Sequence, residues 1–221
     1  MRLLTRFLGR ASKDAFEARL TAYPPYAPPH LGPPRTLDLP AMRANLAHHL
    51  DTIDERIDTL RTFLREDGVT TYLDRAADQA EPGLDALDDW AVQRGLNISS
   101  PKLSYDAIRH GGEMHGSLAL CWDIGSYLGE VLCDAFPTLE WGVDETIASA
   151  DEDDAYGRPV LLNRKPPYAA QLPCVVDEHA AVLMHIDQAS ASVRRHGVPY
   201  HTTLTRGTRR YLATCGPANG T

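Results

Sequence analysis

His110, Glu113 and His115, in the stretch RHGGEMHG, form the tightest grouping of proton-moving or metal-binding side chains in this 221-residue sequence. Gly111, Gly112 and Gly116 around them would let a loop fold about an ion. The spacing is not that of a helical metalloprotease, which sets two histidines four apart around a glutamate. The plainer reading is a loop whose polar groups cap its own backbone and meet water. Shortly after come Asp123, Tyr127, Glu130 and Asp134, which share one helical face within about 60°. Asp123 and Glu130 would lie roughly 10.5 Å apart along the axis, too far to share one ion unaided. Glu130 and Asp134 are four apart and could share a metal only if a second helix brought histidines. The face therefore has three readings: a wet surface, an electronegative surface that binds a basic protein, or part of a metal-dependent hydrolase. In the last, His110, Glu113 and His115 would join Asp123 or Glu130.

A second acidic run, DEDDAYG, contains Asp151, Glu152, Asp153 and Asp154. It fails the calcium-loop pattern because Ala155 stands where a ligand is required, and reads instead as a loop tip able to steer a cationic partner. Charge is unevenly distributed along the chain. Between His110 and Gly157 there are eleven Asp and Glu and no Lys or Arg; from Arg158 onward there are eight basic residues and three acidic ones. Such asymmetry points to a charged partner or to one part of the chain neutralising another. The basic stretch, with Arg194, Arg195, Arg206, Arg209, Arg210 and Tyr211, could touch phosphate. The overall charge of −8 opposes nucleic-acid binding by long-range repulsion, so none is expected.

Other chemistry is not spelled out. His48 and His49 are adjacent, and His179 and His185 are six apart, so neither pair shares a helical face. The serine in IGSYLG lacks the strand–turn–helix setting of a nucleophile elbow. Phosphate-loop and dinucleotide fingerprints are missing, so no cofactor is expected.

The elements that would position these groups can be read from periodicity. An amphipathic helix over residues 1–22 would place Leu3, Leu4, Phe7 and Leu8 on the body of the protein. Residues 23–40 hold seven of the sixteen prolines and read as an extended segment, either a linker or a strap anchored by Tyr23, Tyr26 and Leu31. Residues 41–221 then read as a single mainly helical domain with a small sheet. Met42, Leu46, Leu50, Ile53, Ile57, Leu60 and Leu64 step by three or four along a helix of about 40–66, with Asp38 as N-cap and Gly68 as stop. Shorter helices are expected over 69–79 and over 82–94, the latter ended by Gly95. A central buried helix is expected at about 113–136, stopped by Pro137. LEWGV and RPVLLN read as strands, the following segment with Pro166, Pro167 and Pro173 as irregular, and 177–196 and about 206–213 as helices. The fold class expected is mostly α with a small antiparallel β-sheet.

The central helix has unusual contents. Each interior glycine costs roughly 1 kcal/mol relative to alanine, and it carries two. Cys121, Gly125, Gly129 and Cys133 form a row of small side chains at steps of four, along which another backbone can approach closely. The gain in packing would offset the glycine cost. Cys121 and Cys133, about 18 Å apart on one helix, cannot form a disulfide. The scattered cysteines suit a reducing cytoplasm. No apolar run reaches the length of a membrane span, no membrane association is expected, and the opening residues do not form a secretion signal.

The stretch from Leu120 to Asn163, with LCWDIGSYLGEVL followed by LEWGV and GRPVLLN, resembles a helix–strand pattern in uncharacterised bacterial proteins related to predicted immunity proteins encoded beside antibacterial toxins. That resemblance implies a cytoplasmic protein without catalytic residues that neutralises a basic toxin domain. Asp123, Tyr127, Glu130, Asp134 and the 151–154 loop would then form its acidic contact surface.

Overall fold

The computed structural model describes residues 14–98, 113–143, 157–163, 174–176, 179, 182 and 204–215. The order of its elements is a helix α1 (residues 14–21), a strap, α2 (Leu39–Glu66), α3 (Glu81–Ile98), α4 (Ser117–Ala135), strands β1 (Leu139–Val143), β2 (Pro159–Asn163) and β3 (Cys174–Val176), and α5 (Arg206–Cys215). The protein is mostly α with one small antiparallel sheet, in strand order β1-β2-β3. Among the described residues no helix is long and apolar enough to cross a membrane.

Asp38 starts α2 by accepting the Ala41 N–H at 2.9 Å, with Pro40 in the first turn. The helix ends where Gly68 takes a φ of +94°, a conformation disfavoured for residues with a side chain. Between these limits the buried stripe is not quite the one periodicity suggests. Ile53, Ile57, Leu60, Phe63 and Leu64 lie in the core, yet Leu50 is exposed and Asn45 and His49 are buried instead. The first half of α2 faces the strap and β1, where polar groups find a use. Asn45 accepts the His30 N–H at 2.9 Å and donates to the His30 carbonyl at 3.0 Å, fastening the strap to the helix.

The proline-rich segment wraps the fold. Tyr23 and Tyr26 are buried, whereas Leu31 is exposed and anchors nothing. Tyr26 exchanges backbone hydrogen bonds with Met114 at 2.9 and 2.7 Å. That pairing holds residues 113–115 extended, so α4 begins at Ser117 and not at 113. Gly116 makes the turn at φ +51°, and a Cβ there would sit 3.0 Å from the Leu20 carbonyl oxygen.

The helix expected over 69–79 does not form. Its backbone groups are taken by side chains of neighbouring helices: Arg61 donates to the Leu73 carbonyl at 3.1 and 2.6 Å, Tyr127 to the Asp74 carbonyl at 3.1 Å, and Asp134 accepts the Ala77 N–H at 2.8 Å. Helix α3 runs through Gly95 to Ile98. Both expected strands form, with Trp141 opposite Leu161, and a third, β3, pairs with β2 inside the segment read as irregular, which is corrected to that extent. The core centres on α4, whose residues from Ala119 to Gly129 are all buried. Phe16 of α1 joins it against Phe63 and Trp90, at ring distances of 6.1 and 6.5 Å.

Two ion clusters tie the periphery. Asp67, just past α2, receives Arg19, the Arg94 guanidinium at 2.9 and 3.0 Å, and the Trp90 indole N–H at 2.7 Å. Asp88 of α3 accepts the Thr205 N–H and hydroxyl at 2.9 and 2.7 Å, capping the start of α5. Arg209 of α5 reaches Glu81 and Asp85 of α3. Arg209, one cation of the basic C-terminal stretch, is therefore neutralised within the chain by α3.

Candidate functional site

The polar face of helix α4 passes from the core to the periphery, and burial separates the residues that its spacing aligns. Asp123 has no exposed surface. Arg56 of α2 donates to its Oδ1 from Nε at 2.8 Å and approaches its Oδ2 with a terminal nitrogen at 2.8 Å. The Tyr23 hydroxyl donates to Oδ2 at 2.5 Å. Arg56 also donates to the carbonyls of Pro25 and Pro24, at 2.9 and 3.1 Å, so one guanidinium satisfies a buried carboxylate and the start of the strap. Burial pushes the Asp123 carboxyl up to about 6, against the opposing pull of Arg56 and Tyr23. Burial likewise holds the Tyr23 hydroxyl well above its ordinary range, aided by Asp123.

Tyr127 is also fully buried. Asp123 and Tyr127 therefore drop out of any contact surface, and the expectation of a four-residue face is corrected. Two turns of buried helix cannot present side chains to a partner when α2 and the loop before α3 already cover them. Glu130 and Asp134 remain at the periphery. Glu130 is half-buried; its Oε1 accepts the Trp141 indole N–H at 2.8 Å, and its Oε2 lies 3.4 Å from Arg75. Asp134 is exposed.

Glu113 and His115 are 3.4 Å apart and both largely solvent-facing. His110 and the run Asp151, Glu152, Asp153 and Asp154 lie outside the described residues. Among the described residues, no group of three or more His, Cys, Asp or Glu is placed to hold a metal. Asp123, engaged by a guanidinium at both oxygens, is unavailable as the hydrolase ligand considered from sequence.

The small-residue row does what its spacing suggests. A Cβ at Gly125 would lie 2.8 Å from the His179 Cα and 3.0 Å from its N, and one at Gly129 would collide with the Trp141 indole. The backbone at His179 thus passes directly over Gly125. His179 stacks on Trp122 at 3.8 Å and 11°, and its Nε2 lies 3.2 Å from the Ser126 hydroxyl, which itself reaches the Trp122 carbonyl. His49 meets Trp141 edge-on at 4.6 Å and His179 at 5.5 Å. Burial lowers both imidazoles, His49 to about 3, with His48 and, for His179, His49 and Arg158 adding to the effect. Ser126 and His179 have the identity of a nucleophile and base, but both are sealed, so this is a neutral aromatic core.

The sequence does not single out Arg56; it marks Tyr23 only as an anchor of the strap, and sets His49 and His179 aside because their neighbouring histidines lie on other helical faces. Arg56 had a visible signal, since it interrupts the apolar stripe between Ile53 and Ile57. His179 had none, because its partners are remote in sequence. Compared with protein-family models, curated proteins and solved structures, the chain matches none.

Proposed function

We propose that this protein is a protein-binding module of the immunity type, which neutralises a basic partner domain through an acidic surface. The observation that supports this reading best is the meeting of Asp54 and Glu130 at a single nitrogen of Arg75. It joins the outer side of α2, where Asp51, Asp54, Glu55 and Asp58 are exposed, to the end of α4, where Asp134 is exposed. Carboxylates from two helices thus meet at one cation, with further exposed carboxylates on the same stretch of α2. Arg75 and Arg61 hold the patch together and only partly offset it. A patch of this kind attracts a cationic surface over about a Debye length and speeds encounter more than it slows release.

The test is association kinetics against the protein encoded by the adjacent gene, at low and high salt. Replacing Asp51, Asp54, Glu55 and Asp58 with Asn or Gln should lower the on-rate at low salt, and the deficit should shrink at high salt. A second variant replacing Asp151, Glu152, Asp153 and Asp154 asks whether that loop shares in the steering. No binding to the neighbouring product overturns the reading.

A further inference from the structure

Helix α1 runs antiparallel to α2: Arg19 meets Asp67, Tyr23 packs on Phe63 at 5.1 Å, and the Pro24 carbonyl accepts from Arg56. Between the two helices lies an open groove of about 450 Å³. Clefts of roughly 300–1,000 Å³ are of a size to hold a ligand. The floor is apolar, made by Ala22, Tyr23, Pro24 and Phe63. The walls differ in charge. On the α2 side stand Glu55, Asp58 and Glu66, all exposed; on the α1 side Arg19 is already held by Asp67. Asp58 pairs with Arg61 at 2.7 Å, whereas Glu55 and Glu66 meet no cation among the described residues.

A groove of this form suits a helix that is apolar underneath and basic along one edge. Residues 1–13 of the chain, MRLLTRFLGRASK, lie outside the described residues and carry that pattern in their sequence. They include Arg2, Arg6, Arg10 and Lys13 and no Asp or Glu. At about 100° per residue, Leu3, Leu4, Phe7 and Leu8 share one helical face, and the arginines, at steps of four, form a ridge along its edge. Length agrees as well. At about 1.5 Å per residue, Arg2 to Arg10 would span roughly 12 Å, and Glu55 to Glu66 roughly 16.5 Å. The tether is favourable too: α1 begins at residue 14, beyond Arg19 and therefore at the Glu66 end of the groove. Gly9 suits a helix stop, and about two to five residues are enough to join antiparallel helices.

We propose that residues 1–8 dock in this groove as a short helix after a reversal at Gly9. Leu4, Phe7 and Leu8 lie on the apolar floor, with Arg2 towards Glu55 and Arg10 towards Glu66. The contact does not depend on any partner of the acidic surface, but a docked segment would compete with a basic partner for Glu55 and Asp58.

The experiment is brief trypsin digestion of the folded full chain, with the N-terminal products followed by mass spectrometry against a synthetic peptide of residues 1–16. Cleavage of a docked segment tracks its undocked fraction, so cuts after Arg2, Arg6 and Arg10 should be at least about tenfold slower in the chain than in the peptide at low salt. The protection should weaken as salt rises. The triple variant Glu55→Gln, Asp58→Asn, Glu66→Gln alters three exposed side chains and creates no trypsin site. Its cleavage should approach the peptide's rate while its melting temperature changes little. Phe7→Ser, judged against a peptide with the same change, removes the apolar anchor and should also lose protection. Cleavage of the parent at the peptide's rate, or protection undiminished in both variants, would overturn the proposal.

Discussion

Arg56 and Asp123 form a buried ion pair in which one guanidinium holds both carboxylate oxygens, at 2.8 Å each. Its consequence is structural before it is functional. The pair joins the two longest-buried helices and, through the carbonyls of Pro24 and Pro25, the strap. Removing one member of such a pair leaves an uncompensated buried charge, which typically costs about 3–5 kcal/mol. Asp123→Asn should lower stability by that order, and Arg56→Met by at least as much, since it also frees two carbonyls. Denaturant unfolding checks this. Loss of less than about 1 kcal/mol in either variant would mean that water reaches the pair.

Gly125 and Gly129 make a sharper case. Alanine favours a helix over glycine by roughly 1 kcal/mol, so on propensity alone both changes should stabilise α4. Geometry opposes this. At Gly125 the obstacle is the backbone of His179, which cannot rotate away, and at Gly129 it is an indole pinned by Glu130 and packed on His49. Overpacking of this kind costs typically 1–3 kcal/mol, so both Gly→Ala variants should melt below the parent, Gly125→Ala the more so. Thermal denaturation of either at or above the parent temperature would remove the close approach as the reason for the glycines.

Much of the architecture was legible because it is local. Asp38, Pro40 and Gly68 mark the limits of α2 with cap chemistry that acts within one turn, and the short apolar runs LEWGV and PVLLN pair as antiparallel strands. The glycine row told of a close neighbour without saying which. What failed was settled by long-range partners. Residues 69–79 have helical composition, but Arg61, Tyr127 and Asp134 satisfy that backbone from outside. Periodicity placed Asp123 and Glu130 on one face correctly, and no local rule could show that Arg56, 67 residues away, would enclose the first and leave the second near the surface.

At the end of α4, Asp134 and Glu130 should behave differently when altered. Asp134 is exposed and accepts a single backbone N–H, so Asp134→Asn keeps the bond's geometry and should change stability by less than about 1 kcal/mol. Its effect belongs in the on-rate for a basic partner. Glu130 bridges Trp141 and Arg75, so Glu130→Ala should cost roughly 1–3 kcal/mol of stability by leaving the indole donor unmet. Parallel measurement of unfolding and association separates the two roles. An Asp134→Asn variant that unfolds as easily as Glu130→Ala would contradict the assignment.

The two buried imidazoles predict how the fold responds to acid. His49 is pushed down to about 3 and His179 well below its ordinary value, chiefly by burial. A base whose folded value is lowered stays neutral in the native state while the unfolded chain takes up a proton below about 6.5. Its contribution is full above that pH and is lost as pH falls, by about 1.4 kcal/mol per unit for each group. Asp123 works the other way: raised to about 6, it holds its proton in the fold where the unfolded chain would release it, returning about 1.4 kcal/mol per unit between pH 6 and 4. Two histidines outweigh one aspartate, so stability should fall by about 1.4 kcal/mol per unit over that range, and melting temperature should begin to drop below pH 6.5. His49→Leu isolates one contributor. The Nε2 atom of His49 has no partner among the described residues, so at pH 7 this change should be nearly neutral, while the acid slope should be cut by the share of one group. A parent whose melting temperature is level from pH 7 to 5, or a His49→Leu variant with an undiminished slope, would show that these rings are not held neutral by the fold.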